Sequence, residues 1–368
     1  MRGPQAPEYI RKLAVYVPGK PIEEVQRELG VSDIVKLASN ENPLGTSPKA
    51  LAAIREALPD LHRYPDGGGY ALRKALAARH AVDIDQVILG NGSCELIEIA
   101  CRAYLEDRDE AVISQQSFVM YELAIDQVNA RPTAMPTAPG RRHDLDAMAG
   151  AITSRTKLVF VANPCNPTGT YNTRAELDRL LAVAGDHVLV VLDQAYHEYI
   201  EVPDYPDGLD DLKAGRNVLV LRTFSKIYGL AGLRIGYGVA SPEVVATLNR
   251  VRSPFNTSSL AQVAGLAALD DEEWAQRSRE HNRRELDFLE GELSRRGVRF
   301  TPSVTNFVLL ELDSDVRQLF LEFQKRGVII RPQGGPGLAN CARVSVGTRP
   351  ENERFLAALD QLVPAARA

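Results

Sequence analysis

The amino-acid sequence predicts an α/β protein: a mostly parallel central sheet flanked by helices, with a smaller α+β domain. Three observations predict it. Lys157–Ala162 (KLVFVA), Val188–Leu192 (VLVVL) and Val218–Leu221 (VLVL) are almost unbroken runs of β-branched residues and leucine. Strands of a parallel sheet read this way because helices cover both of its faces. Between the first two runs, 174–184 carries Leu177, Leu180 and Leu181 on one helical face, completing a β-α-β unit. After about residue 250 the pattern changes to a long charged helix followed by short alternating elements.

The remaining elements follow in order. Ser47 and Pro48 open a helix with an N-cap residue and a first-turn proline. Leu51, Ile54 and Leu58 continue it at helical spacing and are expected to form its apolar face. Pro65-Asp66-Gly67-Gly68-Gly69 reads as a loop, 70–80 as a helix and Val87–Leu89 as a short strand. Residues 93–105 form a helix with apolar positions 96, 97, 100 and 104. Past the three central strands come a helix over 272–296, a strand over 306–312 and a helix over 315–326. Two short strands (328–331 and 342–346) and a helix from Pro350 end the chain. The expected division is a large domain over 40–260 and a small domain formed by 1–39 plus 261–368, consistent with two cores in 368 residues.

Composition narrows the function. Apolar residues make up 45% and charged residues 25%, the balance of a globular protein. The net charge of −5 argues against a general polyanion binder, so no nucleic-acid partner is expected. No apolar run approaches the ~20 residues a membrane span needs. Cys94, Cys101, Cys165 and Cys341 are scattered, without the C-x-x-C spacing of a zinc site, so no metal is expected. Charge throughout 1–20 excludes a secretory signal. A cytoplasmic protein with reduced thiols is expected.

In open parallel sheets, ligands sit beyond the carboxyl ends of the strands. After the first run come Asn163 to Gly169, with Asn166. After the second come Asp193, Gln194, Ala195 and Tyr196. After the third come Arg222 to Lys226, and after Val87–Leu89 come Gly90-Asn91-Gly92-Ser93. Singly, each has an ordinary explanation: a helix cap for Asp193, a surface lysine for Lys226, a turn for 166–169. Together they suit pyridoxal 5'-phosphate. Its phosphate calls for a helix N-terminus, its aldehyde for a lysine amine, its pyridine nitrogen for an anion and its phenolic oxygen for hydrogen-bond donors.

The motifs at 163–169 (Asn-Pro-x-Asn-Pro-Thr-Gly), 193–196 (Asp-x-Ala-Tyr) and 225–236 (Ser-Lys-x-x-Gly-Leu-Ala-Gly-Leu-Arg-x-Gly) resemble those of fold-type I, class II aminotransferases. Four further segments extend the likeness to histidinol-phosphate aminotransferases: 37–43 (LASNENP), 62–66 (HRYPD), Arg331-Pro332 and 343–348 (RVSVGT). The resemblance implies a fold-type I pyridoxal-phosphate transferase. In it, Lys226 is the Schiff-base lysine that also carries the proton. Asp193 faces the pyridine nitrogen, and Asn166 and Tyr196 face the phenolic oxygen. Ser93, the backbone at Cys94, Thr223 or Ser225, and Arg234 hold the phosphate, while Phe118 stacks on the ring. It also implies a homodimer with shared sites, in which Tyr64 reaches the partner's cofactor phosphate.

The substrates so implied are small: an amino donor and a 2-oxo acid. Arginine suits bidentate capture of carboxylate and phosphate. By the resemblance Arg343 takes the α-carboxylate of the amino donor. Arg331 takes the distal anion, the phosphate of histidinol phosphate or the side chain of glutamate. An aromatic-amino-acid aminotransferase, a threonine-phosphate decarboxylase and a catalytically idle cofactor-binding protein share many of these motifs. Where the family has Asp or Asn, Asn, and Glu, this chain has Cys94, Cys165 and Gln194. The last is expected to remove a charge near Asp193.

Overall fold

The computed structural model describes residues 3–16 and 19–363; the remaining residues of the expected small domain (1–2, 17–18 and 364–368) lie outside the described residues. Its centre is a seven-stranded sheet. The strands run in the order Val87–Gly90, Gly236–Val239, Val218–Thr223, Leu189–Asp193, Thr156–Ala162, Glu110–Ser114 and Arg131–Met135. Gly236–Val239 is antiparallel to both its neighbours and all other pairs are parallel. The three runs singled out by composition are the middle of this sheet, buried almost throughout.

Successive strand residues face opposite sides, and each side has its own core. Val190, Leu192, Val218 and Val220 pack into one. Leu189, Val191, Leu219 and Leu221 pack into the other. The helix Arg174–Ala184 opens with a capping box between Thr173 and Glu176 and buries Leu177, Leu180 and Leu181, as its spacing predicts.

The helix Pro48–Ala57 is capped as expected, with Ser47 accepting from the Ala50 N–H. Of its expected apolar face Ile54 packs against the core, but Leu51 and Leu58 are exposed and Ala50 is buried. The cause is its neighbour. Ser259–Leu269 presents Ala261, Ala264 and Ala268 to the same core, and small residues let the two helices approach closely. This second helix falls past residue 260 yet packs under the large sheet.

A four-stranded antiparallel sheet follows, in the order Arg331–Pro332, Cys341–Ser345, Phe307–Glu311 and Arg299–Thr301. Its core takes Leu289 from the long helix Glu272–Arg295, Phe323 from Val316–Lys325 and Phe355 from Arg349–Leu362. Val35 and Leu37 join it, and Val35–Lys36 pairs in parallel with Val328–Ile329.

Of the two arginines in the central sheet's strands, Arg131 opens the edge strand Arg131–Met135 and is exposed, while Arg222 is buried. It alternates with Thr223, so it points to the face carrying Val218 and Val220, where it is 4% exposed and donates to Asp207 at 2.7 Å. A buried guanidinium needs its counter-charge. Replacing Asp207 by Ala should therefore destabilise the fold by roughly 3 kcal/mol, read as a lower midpoint in urea unfolding. An unchanged midpoint would show that the pair carries no stability.

Candidate active site

The strand register brings the site together. Asp193 ends its strand between Ala162 and Leu221 of the flanking strands. Gly236 starts the reversed strand between Gly90 and Thr223. The reversal explains Arg234: a strand running the other way begins, rather than ends, at this rim, so the residues just before it arrive beside the carboxyl ends of the others.

A cavity of about 360 Å³ opens there. Ten of the residues named from the sequence line it: Ser93, Cys94, Phe118, Asn166, Asp193, Tyr196, Thr223, Ser225, Lys226 and Arg234. The Lys226 amine lies 3.4 Å from the Ser39 carbonyl and 5.5 Å from the centre of the Tyr196 ring. Burial, followed by the Arg343 charge, lowers its pKa to about 8. That brings the neutral amine within reach of ordinary pH.

Asp193 is 6% exposed. Burial raises its pKa, while three neighbours favour the carboxylate. Tyr121 donates its hydroxyl to Oδ2 at 2.8 Å, the Ala195 N–H donates to Oδ1 at 3.2 Å, and the Lys226 charge attracts it. Tyr196 receives a hydrogen bond from the Asn40 amide at 2.9 Å. Burial pushes its phenol up to about 12, so the hydroxyl stays protonated as a donor.

At the opposite end lies the first turn of the helix Gly92–Tyr104, where free N–H groups favour an anion. Thr223 donates to Ser225 Oγ at 3.0 Å and accepts from the Ser225 N–H at 3.1 Å. Arg234 lies across Gly92: a β-carbon there would stand 2.5 Å from its guanidinium. Gly92 also has φ +74°, a conformation glycine adopts without strain.

A second cavity of about 490 Å³ shares Phe118 and Asn166 with the first and contains both Arg331 and Arg343. Arg343 donates to the Asn166 side-chain oxygen and to the Ala38 carbonyl. Its Nε is buried with no partner among the described residues. Arg331 lies 5.7 Å from the Tyr16 ring, which lines the same cavity. Tyr64 enters neither cavity. It is 83% exposed and stacked on Phe255 at 4.9 Å.

Reasoning from the sequence missed Tyr121, Asn40 and Tyr16. Tyr121 had a usable signal: it stands three residues after Phe118, and residues so spaced share a helical face. Gln194 corrects an expectation. Alternation turns its side chain away from Asp193, so it donates to the Pro206 carbonyl at 2.8 Å and accepts from Arg222 at 3.3 Å. The charge missing there is missing beside Arg222, on the other face of the sheet. Cys165 donates its thiol to the Gln116 carbonyl at 3.2 Å, and burial raises its pKa to about 11.

These groups fit pyridoxal phosphate. The cavity holds a buried carboxylate with only neutral hydrogen-bond donors, an amine with a depressed pKa, and a helix N-terminus beside an arginine. Among the described residues no cluster could hold a metal and no helix is long and apolar enough to cross a membrane.

The model of the family "Aminotransferase class I and II" matches residues 32–359. The histidinol-phosphate aminotransferase of Moorella thermoacetica is 48% identical over 98% of this chain and 93% of its own. That of Anaeromyxobacter sp. is 50% identical over 98% of this chain and 100% of its own. Among solved structures, the histidinol-phosphate aminotransferase of Sinorhizobium meliloti in complex with pyridoxal-5'-phosphate superposes with a TM-score of 0.89. It is 27% identical, with 96% of each chain covered. With the family model spanning most of its length and relatives near half identity along nearly all of it, the chain belongs to the class I and II aminotransferase family.

Proposed function

We propose that this chain is a histidinol-phosphate aminotransferase, exchanging an amino group between histidinol phosphate and the glutamate/2-oxoglutarate pair in histidine biosynthesis. The observation that carries the reading is the adjacency of the two cavities. The buried Lys226 and Asp193 line one, two arginines line the other, and Asn166 and Phe118 form the wall between. Identity of 48–50% with curated histidinol-phosphate aminotransferases supports the substrate.

Pyridoxal 5'-phosphate is the cofactor; when bound, it supplies an electron sink for the pair left as a substrate Cα loses its proton. The roles that the resemblance implies for the chain's residues are supported by their lining the two cavities. Lys226 would hold the cofactor through its neutral amine and would carry the proton to and from a substrate Cα. Asp193 keeps a negative charge facing the pyridine nitrogen. Asn166 and Tyr196 donate to the phenolic oxygen. Ser93, the Cys94 N–H, Thr223, Ser225 and Arg234 hold the phosphate, and Phe118 lies against the ring. Arg343, with its unpartnered Nε, takes the α-carboxylate of glutamate. Arg331 takes the distal anion, so one site serves both substrates.

The exposed Leu51, Leu58, Leu61, Tyr64 and Phe255 support a homodimer in which this apolar face is covered and Tyr64 enters the partner's site. Unpaired cysteines support a cytoplasmic location. The separate cores of the large and small sheets support a large unit over 40–260 and a small one over 1–39 plus 261–368, with the helix Ser259–Leu269 going to the large one.

Two outcomes are expected. In Arg331→Ala, kcat/KM for histidinol phosphate should fall by roughly 2–3 kcal/mol, about 30- to 150-fold, with a much smaller loss for phenylalanine. Equal losses for both donors would favour the aromatic aminotransferase. In mixed dimers of a Lys226→Ala chain with a Tyr64→Ala chain, one site regains both residues if Tyr64 acts across the interface. That site should recover wild-type turnover and cofactor affinity. Mixed dimers no better per intact lysine than the Tyr64→Ala parent would place Tyr64 within its own subunit's function.

A further inference from the structure

The glycine-rich turn Gly334–Gly337 follows Arg331-Pro332 and lines the two-arginine cavity through Gly334, Gly335 and Pro336. It belongs to the small sheet's connections, yet side chains from the large sheet's loops hold it. Arg141 donates to the Gly337 carbonyl at 2.9 Å, and its other terminal nitrogen pairs with Glu311 at 2.9 Å. Gln116 donates to the Pro336 carbonyl at 3.2 Å and accepts from Arg141 at 3.2 Å. The approach is close: a β-carbon on Gly337 (φ +69°) would stand 2.7 Å from the Gln116 amide.

The base of this arrangement is itself tied to the site. Arg141 has φ +61°, unusual for a residue with a β-carbon and sustained only where its surroundings require it. Its carbonyl accepts from Thr170 at 3.1 Å, and Thr170 closes the loop that presents Asn166 through the Cys165 N–H at 2.8 Å. The Gln116 carbonyl accepts the Cys165 thiol. One cluster thus grips the loop carrying Asn166 on one side and the turn after Arg331 on the other.

We infer that Arg141 is a positioning residue that clasps the Gly334–Gly337 turn over the substrate cavity and so sets the spacing between Arg331 and the reacting centre. The inference rests on the aminotransferase reading but not on the identity of the phosphate substrate, because glutamate carries a distal anion too. Removing the Arg141 side chain releases the turn, Gln116 and Glu311 and weakens substrate binding in ground and transition states alike, while the Arg141 carbonyl still accepts from Thr170 and keeps the loop that presents Asn166.

The test is steady-state kinetics on holoenzyme carrying Arg141→Met, with Glu311→Gln as a milder second variant. Arg141→Met should raise KM for both glutamate and histidinol phosphate by about tenfold with kcat within about twofold, the pattern of lost uniform binding. Cofactor affinity should be unchanged, and amide hydrogen exchange should quicken at Leu338, whose N–H donates to the Gly335 carbonyl at 3.2 Å within the turn. Glu311→Gln should move KM the same way by a smaller factor. Unchanged KM for glutamate in both variants, or a loss of cofactor affinity matching the loss of activity, would overturn the clasp. If wild-type enzyme transaminates glutamate but not histidinol phosphate, the substrate reading fails while the glutamate arm still decides the clasp.

Discussion

A carboxylate held inside a protein, facing an open cavity, stays charged only if its surroundings favour the charge. Asp193 is that carboxylate, and the rest of the site is arranged around it. It sits at the end of a central strand, where its backbone carbonyl accepts from the Asn163 N–H and begins the loop that presents Asn166. Its two oxygens take hydrogen bonds from Tyr121 and from the Ala195 backbone, both neutral donors. Among the described residues no salt bridge reaches it, and the Lys226 charge favours its ionised form. Tyr121 is fixed in turn by stacking on Phe160 at 4.9 Å and by an edge contact with Phe118. One buried acid therefore links the strand ends, the ring-facing aromatic and the amide loop.

The same burial acts oppositely on Lys226. Desolvation disfavours charge on both groups, raising the acid and lowering the amine. Arg343 reinforces the effect on the lysine from the neighbouring cavity. Arg343, proposed above to take a substrate carboxylate, thus also favours the neutral amine. That charge acts from the cavity that shares Phe118 and Asn166 with the one holding Lys226.

Much of this was legible in the sequence because the site is built at strand ends. Strands buried on both faces betray themselves by composition, and Asn166, Asp193 and Lys226 follow such runs directly. What escaped were partners brought in from far along the chain. Asn40 meets Tyr196 across 156 positions, a distance no local pattern encodes; Tyr121 meets Asp193 across 72, and only its spacing to Phe118 hinted at the site. Leu51 and Leu58 misled because helical spacing marks a stripe without saying what covers it. The alanines of the helix Ser259–Leu269 made Ala50 the buried residue instead. Gln194 was misplaced through neglect of a rule the sequence does contain: adjacent strand residues face opposite ways. Arg234 was placed by its motif alone, since nothing local announces that Gly236–Val239 runs against its neighbours.

The central claim is that the charge of Asp193 drives the reaction. The direct measurement is turnover of Asp193→Asn holoenzyme, with borohydride labelling of Lys226 as the control for a correctly loaded site. Asparagine preserves shape and one acceptor oxygen, which can keep the Ala195 N–H, but carries no charge; its amide would donate to the Tyr121 hydroxyl where the carboxylate accepts. The account predicts that Lys226 is still labelled, and that turnover falls by about two or more orders of magnitude, as for other groups that stabilise developing charge. Near-wild-type turnover with Lys226 labelled would contradict it.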